Sequence, residues 1–437
     1  MKIGLVLFLV VFIFMVSPIN LLCIWAVTSP VVTNFILIPS LNPLFGSANL
    51  VEYSSYSTQG LAIRELFTFD RMVLFLLFIF VFTGSNVPKL KFKKIDSPFL
   101  FFLAVIVISV LFSHNKLSSA RVAMDTFGMC YIAYFLGKNF LFIDKNFNKF
   151  IMSLVVLGGF LFVISILEYH YFAENSRYRI TGPFAYWENL ALTLAIVFYV
   201  IWYRLCTIHK KDKFNRRLHW IALIGSCVTI IMAQTRTIWF GLFIGICFLV
   251  WEGRKFISMA AVRKYIIISF IALILVLANL AVFKGTSYYA RLTRKETVEG
   301  RMETYNAALR MFAHSPIVGI GLKNFRDDME HYVDASEIKW SKFGGTSLHN
   351  SYLVVASEMG IMGLIPMGFL IFSLITFFQR CYRRSTDPYD KYWALAMAGM
   401  TVTYFLSGMT FDPFFEPTLD NKLYYMCVGV TVGRFCR

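Results

Sequence analysis

The apolar runs of this chain are long and unbroken, and short polar or basic stretches separate them. Strands of a closed barrel would alternate polar and apolar positions over roughly ten residues, which these runs do not do. In a bilayer only helices or closed barrels satisfy the backbone internally, so the pattern predicts helices. Runs long enough to cross about 30 Å of hydrocarbon fall near 4–27, 70–87, 98–113, 121–142, 149–168, 188–206, 217–234, 236–252, 264–284, 349–378, 391–409 and 421–436. The expected fold class is all-α: a polytopic integral membrane protein of about twelve transmembrane helices. Its expected parts are an N-terminal transmembrane bundle of about nine helices (1–284), a loop domain (285–348) and about three C-terminal helices (349–437).

The loop domain is too polar to span and too long for an idle connector. From Arg301 to Phe312 it predicts an amphipathic helix with Met302, Tyr305, Ala308, Leu309 and Phe312 on one face. Ser315-Pro316 would end that helix, and Gly319 and Gly321 would supply a turn.

Composition supports lipid as the solvent. Of the 437 residues 58% are hydrophobic and 15% charged, with mean hydropathy +0.64, whereas a soluble domain carries roughly 25% charge. The formal charge of +17 follows topology rather than nucleic-acid binding, because Lys and Arg cluster between alternate apolar runs. Lys89, Lys91, Lys93, Lys94, Lys145, Lys149, Lys210, Lys211, Lys213, Arg254, Lys255, Arg380, Arg383, Arg384 and Arg434 all fall in loops expected inside. Both termini are then expected in the cytoplasm, with the loop domain outside, and the basic loops would also attract anionic membrane lipids. The first apolar run is long for a cleaved signal peptide and reads as a retained signal anchor. The eight cysteines show no disulfide or zinc spacing.

Chemistry-bearing residues gather on the outer side of this topology. His349 lies where the polar loop enters the tenth run, and an imidazole there can exchange a proton near neutral pH; a plain hydrogen bond to a loop carbonyl is the simpler role. Arg236, in Gln234-Thr235-Arg236-Thr237, stands between two runs with almost no loop. A charge at that depth marks function or a buried partner, with snorkelling to headgroups as the alternative, and a guanidinium fork suits a diphosphate. Arg301, at the start of the amphipathic stretch, could add a second fork or simply be solvated. Arg177 and Arg179 flank a Gly182-Pro183 turn and could clamp an anionic headgroup or cap a helix. Asp125, Glu168, Glu358, Asp412 and Glu416 show no paired spacing. Neither a metal-ligand motif nor a nucleotide-phosphate motif is present, so no cofactor is expected.

Three stretches together resemble the O-antigen ligase and polymerase family: Gln234-Thr235-Arg236, the segment from Arg301 through Pro316, Gly319 and Gly321, and His349-Asn350 followed by Glu358, Gly360 and Gly363. The stretch from Arg179 to Phe184 resembles an upstream segment of the same proteins. The resemblance implies a GT-C-like membrane glycosyltransferase of the bacterial inner membrane with a periplasmic active site, acting without a metal in lipopolysaccharide biosynthesis. Its donor would be a glycan on undecaprenyl diphosphate, and its acceptor lipid A–core for a ligase or a lipid-linked glycan for a polymerase. It implies His349 as the base, Arg236 and Arg301 as diphosphate ligands, and Arg177, Arg179 and Asn350 as further substrate contacts. The large outside segment before the tenth run favours the ligase. A transporter would place its ionisable groups near the membrane centre and often show internal repeats, which this sequence does not.

Overall fold

The computed structural model describes residues 16–35, 69–83, 92–172, 180–184, 186–208, 212–254, 296–333, 348–415 and 418–436. Arg177, Arg179 and the expected run 264–284 lie outside the described residues. Within them the chain is helical and has no strand. In order come α1 (Pro18–Phe35), α2 (Phe69–Thr83), α3 (Asp96–Phe112), α4 (Lys116–Val122), α5 (Met129–Leu136), α6 (Asp144–Phe172) and α7 (Trp187–Thr207). These are followed by α8 (Lys213–Met232), α9 (Arg236–Gly253), α10 (Glu296–His314), α11 (Phe325–Tyr332), α12 (Ser351–Arg384), α13 (Pro388–Ser407) and α14 (Leu419–Phe435). Among the described residues four helices are long and apolar enough to cross a membrane: Asp144–Tyr171, Trp187–Thr207, Arg236–Gly253 and Ser351–Arg384. Shorter apolar helices occupy Pro18–Pro30, Val73–Thr83 and Asp96–Phe112, so a count of about twelve crossings exceeds what these lengths establish.

Local chemistry sets several boundaries. Asn115 accepts the Ser118 amide at 3.1 Å and starts α4. Asp212 accepts the Asn215 amide at 3.2 Å and starts α8. Asp387 accepts the Tyr389 amide at 3.0 Å ahead of Pro388, the first residue of α13; a proline is tolerated there because that N–H has no helical partner anyway. Pro18 likewise opens α1, which runs past the end of the expected 4–27; residues 4–15 of that run lie outside the described residues. Between α4 and α5 the backbone widens into a π-helical turn at Ala123–Gly128, and a second follows at Gly137–Leu141.

Helix ends sort into two sets. At one end Arg434 holds Asp144 at 2.7 Å and Asp390 at 2.9 Å, Arg383 reaches Glu252 at 3.6 Å, and Lys138 pairs with Asp96. Those residues flank the basic clusters assigned to one side by charge alternation. His349, Arg236 and Arg301 belong to the other end.

At that second end α12 is broken. Gly360 has φ 61° and ψ −154°, outside any helix. The break leaves carbonyls above it and amides below it without helical partners, and buried backbone groups must find others. The turn after α10 supplies them. Ile320 and Gly321 donate their amides to the Ser357 and Glu358 carbonyls at 2.9 and 3.0 Å, while Ile361 and Met362 donate to the Pro316 and Ile317 carbonyls at 2.8 and 3.1 Å. The non-helical segment is thus paired with protein on both edges, the condition under which irregular backbone survives at membrane depth. Below the turn, Glu358 accepts the amide of Phe325, the first residue of α11, at 3.1 Å and the Lys323 amide as well. Asn324 bonds the Ser113 hydroxyl at 2.8 Å and Ser119 donates to the Leu322 carbonyl at 2.6 Å, tying the same loop to α3 and α4.

The amphipathic helix requires correction on two points. It begins at Glu296, so Arg301 sits in its second turn rather than opening it. Its buried face is Thr304, Ala307, Ala308 and Met311, whereas Met302 and Leu309 are 52% and 51% exposed. Small alanines let the helix backbone approach α12 closely, and burying the bulkier Met302 and Leu309 instead would push it away.

A Cβ on Gly319 would stand 2.3 Å from the Glu358 carbonyl carbon, and Gly319 has φ +70°. Gly319→Ala is therefore expected to destabilise this end by about 1–3 kcal/mol or more, read as a lower unfolding temperature in detergent and faster proteolysis at the loop. Gly159→Ala, which meets nothing within 4 Å, serves as the control and should leave both unchanged.

Candidate functional site

His349 and Asn350 form the joint between the loop domain and α12. Asn350 is the N-cap: its side-chain oxygen accepts the Tyr352 and Leu353 amides at 3.0 and 3.1 Å. That contact satisfies two of the otherwise unpaired amides of the first turn. His349, just before the cap, has φ 47°, a conformation uncommon outside glycine and costly unless the surroundings enforce it. The enforcement comes from both sides. Leu348 is buried with Ala307, Ala308, Met311 and Phe325 in a small core under the loop domain. On the other side Ser351 donates its amide to the Gly408 carbonyl at 2.8 Å and its hydroxyl to the Phe411 carbonyl at 3.3 Å. His349 is clamped between these anchors.

Arg301 reaches this joint from α10. It lies close enough to His349 that the two repel when the imidazole is charged. One helical turn on, Tyr305 is hydrogen-bonded to Asn350 and faces the charges of Arg301 and Asp412. The series Arg301, Tyr305, Asn350, His349 is therefore continuous in space. Asn350 is here a cap and a bridge to Tyr305, a structural duty beyond the substrate contact expected of it.

Arg236 arrives by another route. Gln234, with φ 56°, follows the last turn of α8, and Arg236 opens α9 with its side chain exposed. The neighbouring Thr237 hydroxyl meets that of Thr410, in the same Gly408–Phe411 turn that receives Ser351. The starts of α9 and α12 thus share one turn as their support.

Burial, then the Arg301 charge, lower the His349 pKa from 6.5 to about 4. At neutral pH the ring is uncharged and able to accept a proton. The protonated form is favoured more in the unfolded chain, so this residue's contribution to stability is intact above about pH 6.5. It is lost as pH falls through that value toward about 4.

One feature of this end escapes sequence reading: Tyr305 looks like one more apolar-face residue. Glu358, marked in the sequence by its place in the series with Gly360 and Gly363, holds the loop turn. Among the described residues no group of three or more His, Cys, Asp or Glu side chains comes together as a metal site would need.

The fold and this end together describe a helical membrane protein with a neutral imidazole beside a guanidinium at one end of its bundle. Residues 221–368, from α8 through the broken part of α12, match the family model described as O-Antigen ligase. Over that segment, about a third of its length, the chain is similar to the O-antigen ligase family. It is also similar to an uncharacterized protein of Haemophilus influenzae, with 22% identity over 303 residues, covering 65% of this chain and 72% of that protein.

Histidine-selective NMR of the protein in detergent measures the proton affinity directly. His349 is expected to titrate near pH 4. In Arg301→Gln the midpoint should rise but stay below the ordinary value of about 6.5, because burial is the larger cause. A midpoint unchanged by that substitution would separate Arg301 from the site.

Proposed function

We propose that this protein is an O-antigen ligase-type glycosyltransferase of the bacterial inner membrane. It moves a glycan from undecaprenyl diphosphate to a sugar hydroxyl of lipid A–core at the periplasmic face. In this reading about twelve helices cross the membrane and both termini are cytoplasmic. The observation that carries the chemistry is a neutral imidazole held by strained backbone next to the Arg301 guanidinium.

His349 takes the proton of the acceptor hydroxyl as the acceptor oxygen attacks the anomeric carbon. The bond from that carbon to the diphosphate oxygen breaks in the same displacement, which inverts the anomeric centre. Negative charge builds on the phosphate oxygens, where Arg301 and Arg236 stabilise it most as the bond breaks. The activated donor supplies the energy, and the two arginines take the part a metal plays in other phosphate-leaving reactions.

An imidazole with a pKa near 4 is a weak base in the empty site. A bound diphosphate offsets the positive charge of Arg301 and adds negative charge beside the ring, which raises its proton affinity. The base therefore strengthens when the donor is present. Such coupling would limit unproductive deprotonation in the empty enzyme.

His349→Ala is expected to lower glycan transfer by roughly 10²–10⁴-fold while membrane insertion is kept; transfer near the wild-type rate would refute the base assignment. Arg236→Lys should also lose most activity if the fork geometry matters. In a strain lacking the protein, long unattached chains should accumulate on the lipid carrier. Cores capped by single repeats would instead identify a polymerase joining lipid-linked units.

A further inference from the structure

The break at Gly360 decides the level at which α10 lies. Gln379 of α12 donates to Glu252 of α9 at 3.0 Å, which puts those two residues at one level near the basic end of the bundle. From Gln379 back to Gly360, α12 rises about 28 Å at the helical rise per residue. From Glu252 back to Thr237, α9 rises about 22 Å by the same measure. The Thr237 hydroxyl meets that of Thr410, and Ser351 donates its amide to the nearby Gly408 carbonyl at 2.8 Å. Gly360 and Ser351 therefore both stand close to the far boundary of about 30 Å of hydrocarbon. A straight α12 would carry Ser351 about 14 Å beyond Gly360. Residues 351–359 instead lie along the surface.

That segment carries α10 with it. Arg301 stands beside His349 at one end. At the other, the turn that ends α10 gives the Pro316 and Ile317 carbonyls to the amides of Ile361 and Met362. α10 thus lies along the surface too, and it has three sides. Ala307, Ala308 and Met311 are buried with Val354 of α12. Glu303, Asn306 and Arg310 share a second side by helical spacing, and Arg310 donates to the Tyr332 carbonyl of α11 at 2.9 Å. Met302 and Leu309, two turns apart on the third, are half-exposed. The same apolar surface continues past the helix end. Ile317 is 64% exposed in the turn, and Ile361 and Ile365, just beyond the break in α12, are 43% and 62% exposed.

We propose that α10 is an interfacial helix whose Met302 and Leu309 insert among the acyl chains of the membrane leaflet nearest His349. Single exposed apolar side chains are ordinary on a surface facing water. These two are not single, because the row they begin runs through Ile317 into the exposed apolar side of α12. Level and continuity together select lipid as what covers them. An amphipathic helix of low net hydrophobicity settles at such a boundary with its apolar side about 5–10 Å deep. The consequence is a fixed depth: lipid holds α10, and α10 holds Arg301 beside His349 at the height of the headgroups. This surface goes beyond the glycan-transfer reading and does not require it.

The test needs only the wild-type full chain, in nanodiscs of phosphatidylcholine that carries a photoactivatable diazirine near the ester end of an acyl chain. After irradiation, labelled residues are mapped by peptide mass spectrometry. Label should appear on Met302 and Leu309 as it does on Ile365, and should be absent from Glu330 on the exposed side of α11. Label on α12 with none on α10 would overturn the proposal, and a second copy of the chain seated on α10 would give that result. The double variant Met302→Gln, Leu309→Gln checks insertion: label on α10 should fall several-fold while Ile365 is labelled as before. Labelling of α10 unchanged by those polar side chains would also overturn it. His349→Ala should show the wild-type pattern. Lipid contact and glycan transfer are thus read separately, and either can fail without the other.

Discussion

The end of this molecule that carries His349 depends on an exchange of backbone hydrogen bonds between a broken helix and the turn inserted beside it. Gly360 interrupts α12, which strands carbonyls at Ser357 and Glu358 and amides at Ile361 and Met362. The turn from Pro316 to Gly321 completes all four. Each half satisfies the other's backbone groups, which would otherwise be buried without partners at a cost. Pro316, Gly319, Gly321, Glu358 and Gly360 are thus parts of one joint. Its glycines are required by close approach, with a Cβ on Gly360 falling 2.5 Å from the Ile317 carbonyl oxygen.

That joint fixes where Arg301 and His349 stand. It docks the C-terminal end of α10 onto α12, so Arg301, four turns back along α10, is carried to the head of α12. There the Asn350 cap and the Ser351 bonds to Gly408 and Phe411 hold His349 in an unfavourable conformation. Strain at this residue is sustained by packing on two sides, the usual condition for it to persist. The consequence is electrostatic. A ring pressed against protein and facing a guanidinium stays neutral at ordinary pH.

Charge is distributed along the bundle by the same economy. One end is closed by ion pairs such as Arg434 with Asp144 and Asp390, which join helices and leave little for a ligand. At the other end Asp125 is interior to Arg71 and Arg121, so cations face outward. Arg301 beside His349 repeats the theme. Which charge faces outward at each end follows from which partner of the ion pair is more deeply buried.

Much was legible in the chain itself. Length and continuity of the apolar runs determined an all-helical fold, because lipid leaves the backbone few other solutions. Clusters of Lys and Arg determined which helix ends belong together, since charge cannot be left within hydrocarbon cheaply. Local motifs marked Arg236, Arg301, His349 and the Gly-rich turn as one ordered series. Other features required the folded chain. Spacing suggested that Met302 and Leu309 would be buried, yet close approach to α12 selected Ala307 and Ala308. Asp125 stands 54 residues from its partner Arg71, and Ser109 stands 249 from the Glu358 carbonyl it bonds. Periodicity reports the face a helix would choose alone. Which neighbour meets that face, and which charges then share a low-dielectric site, is set by packing between distant segments, and only the tertiary structure decided it.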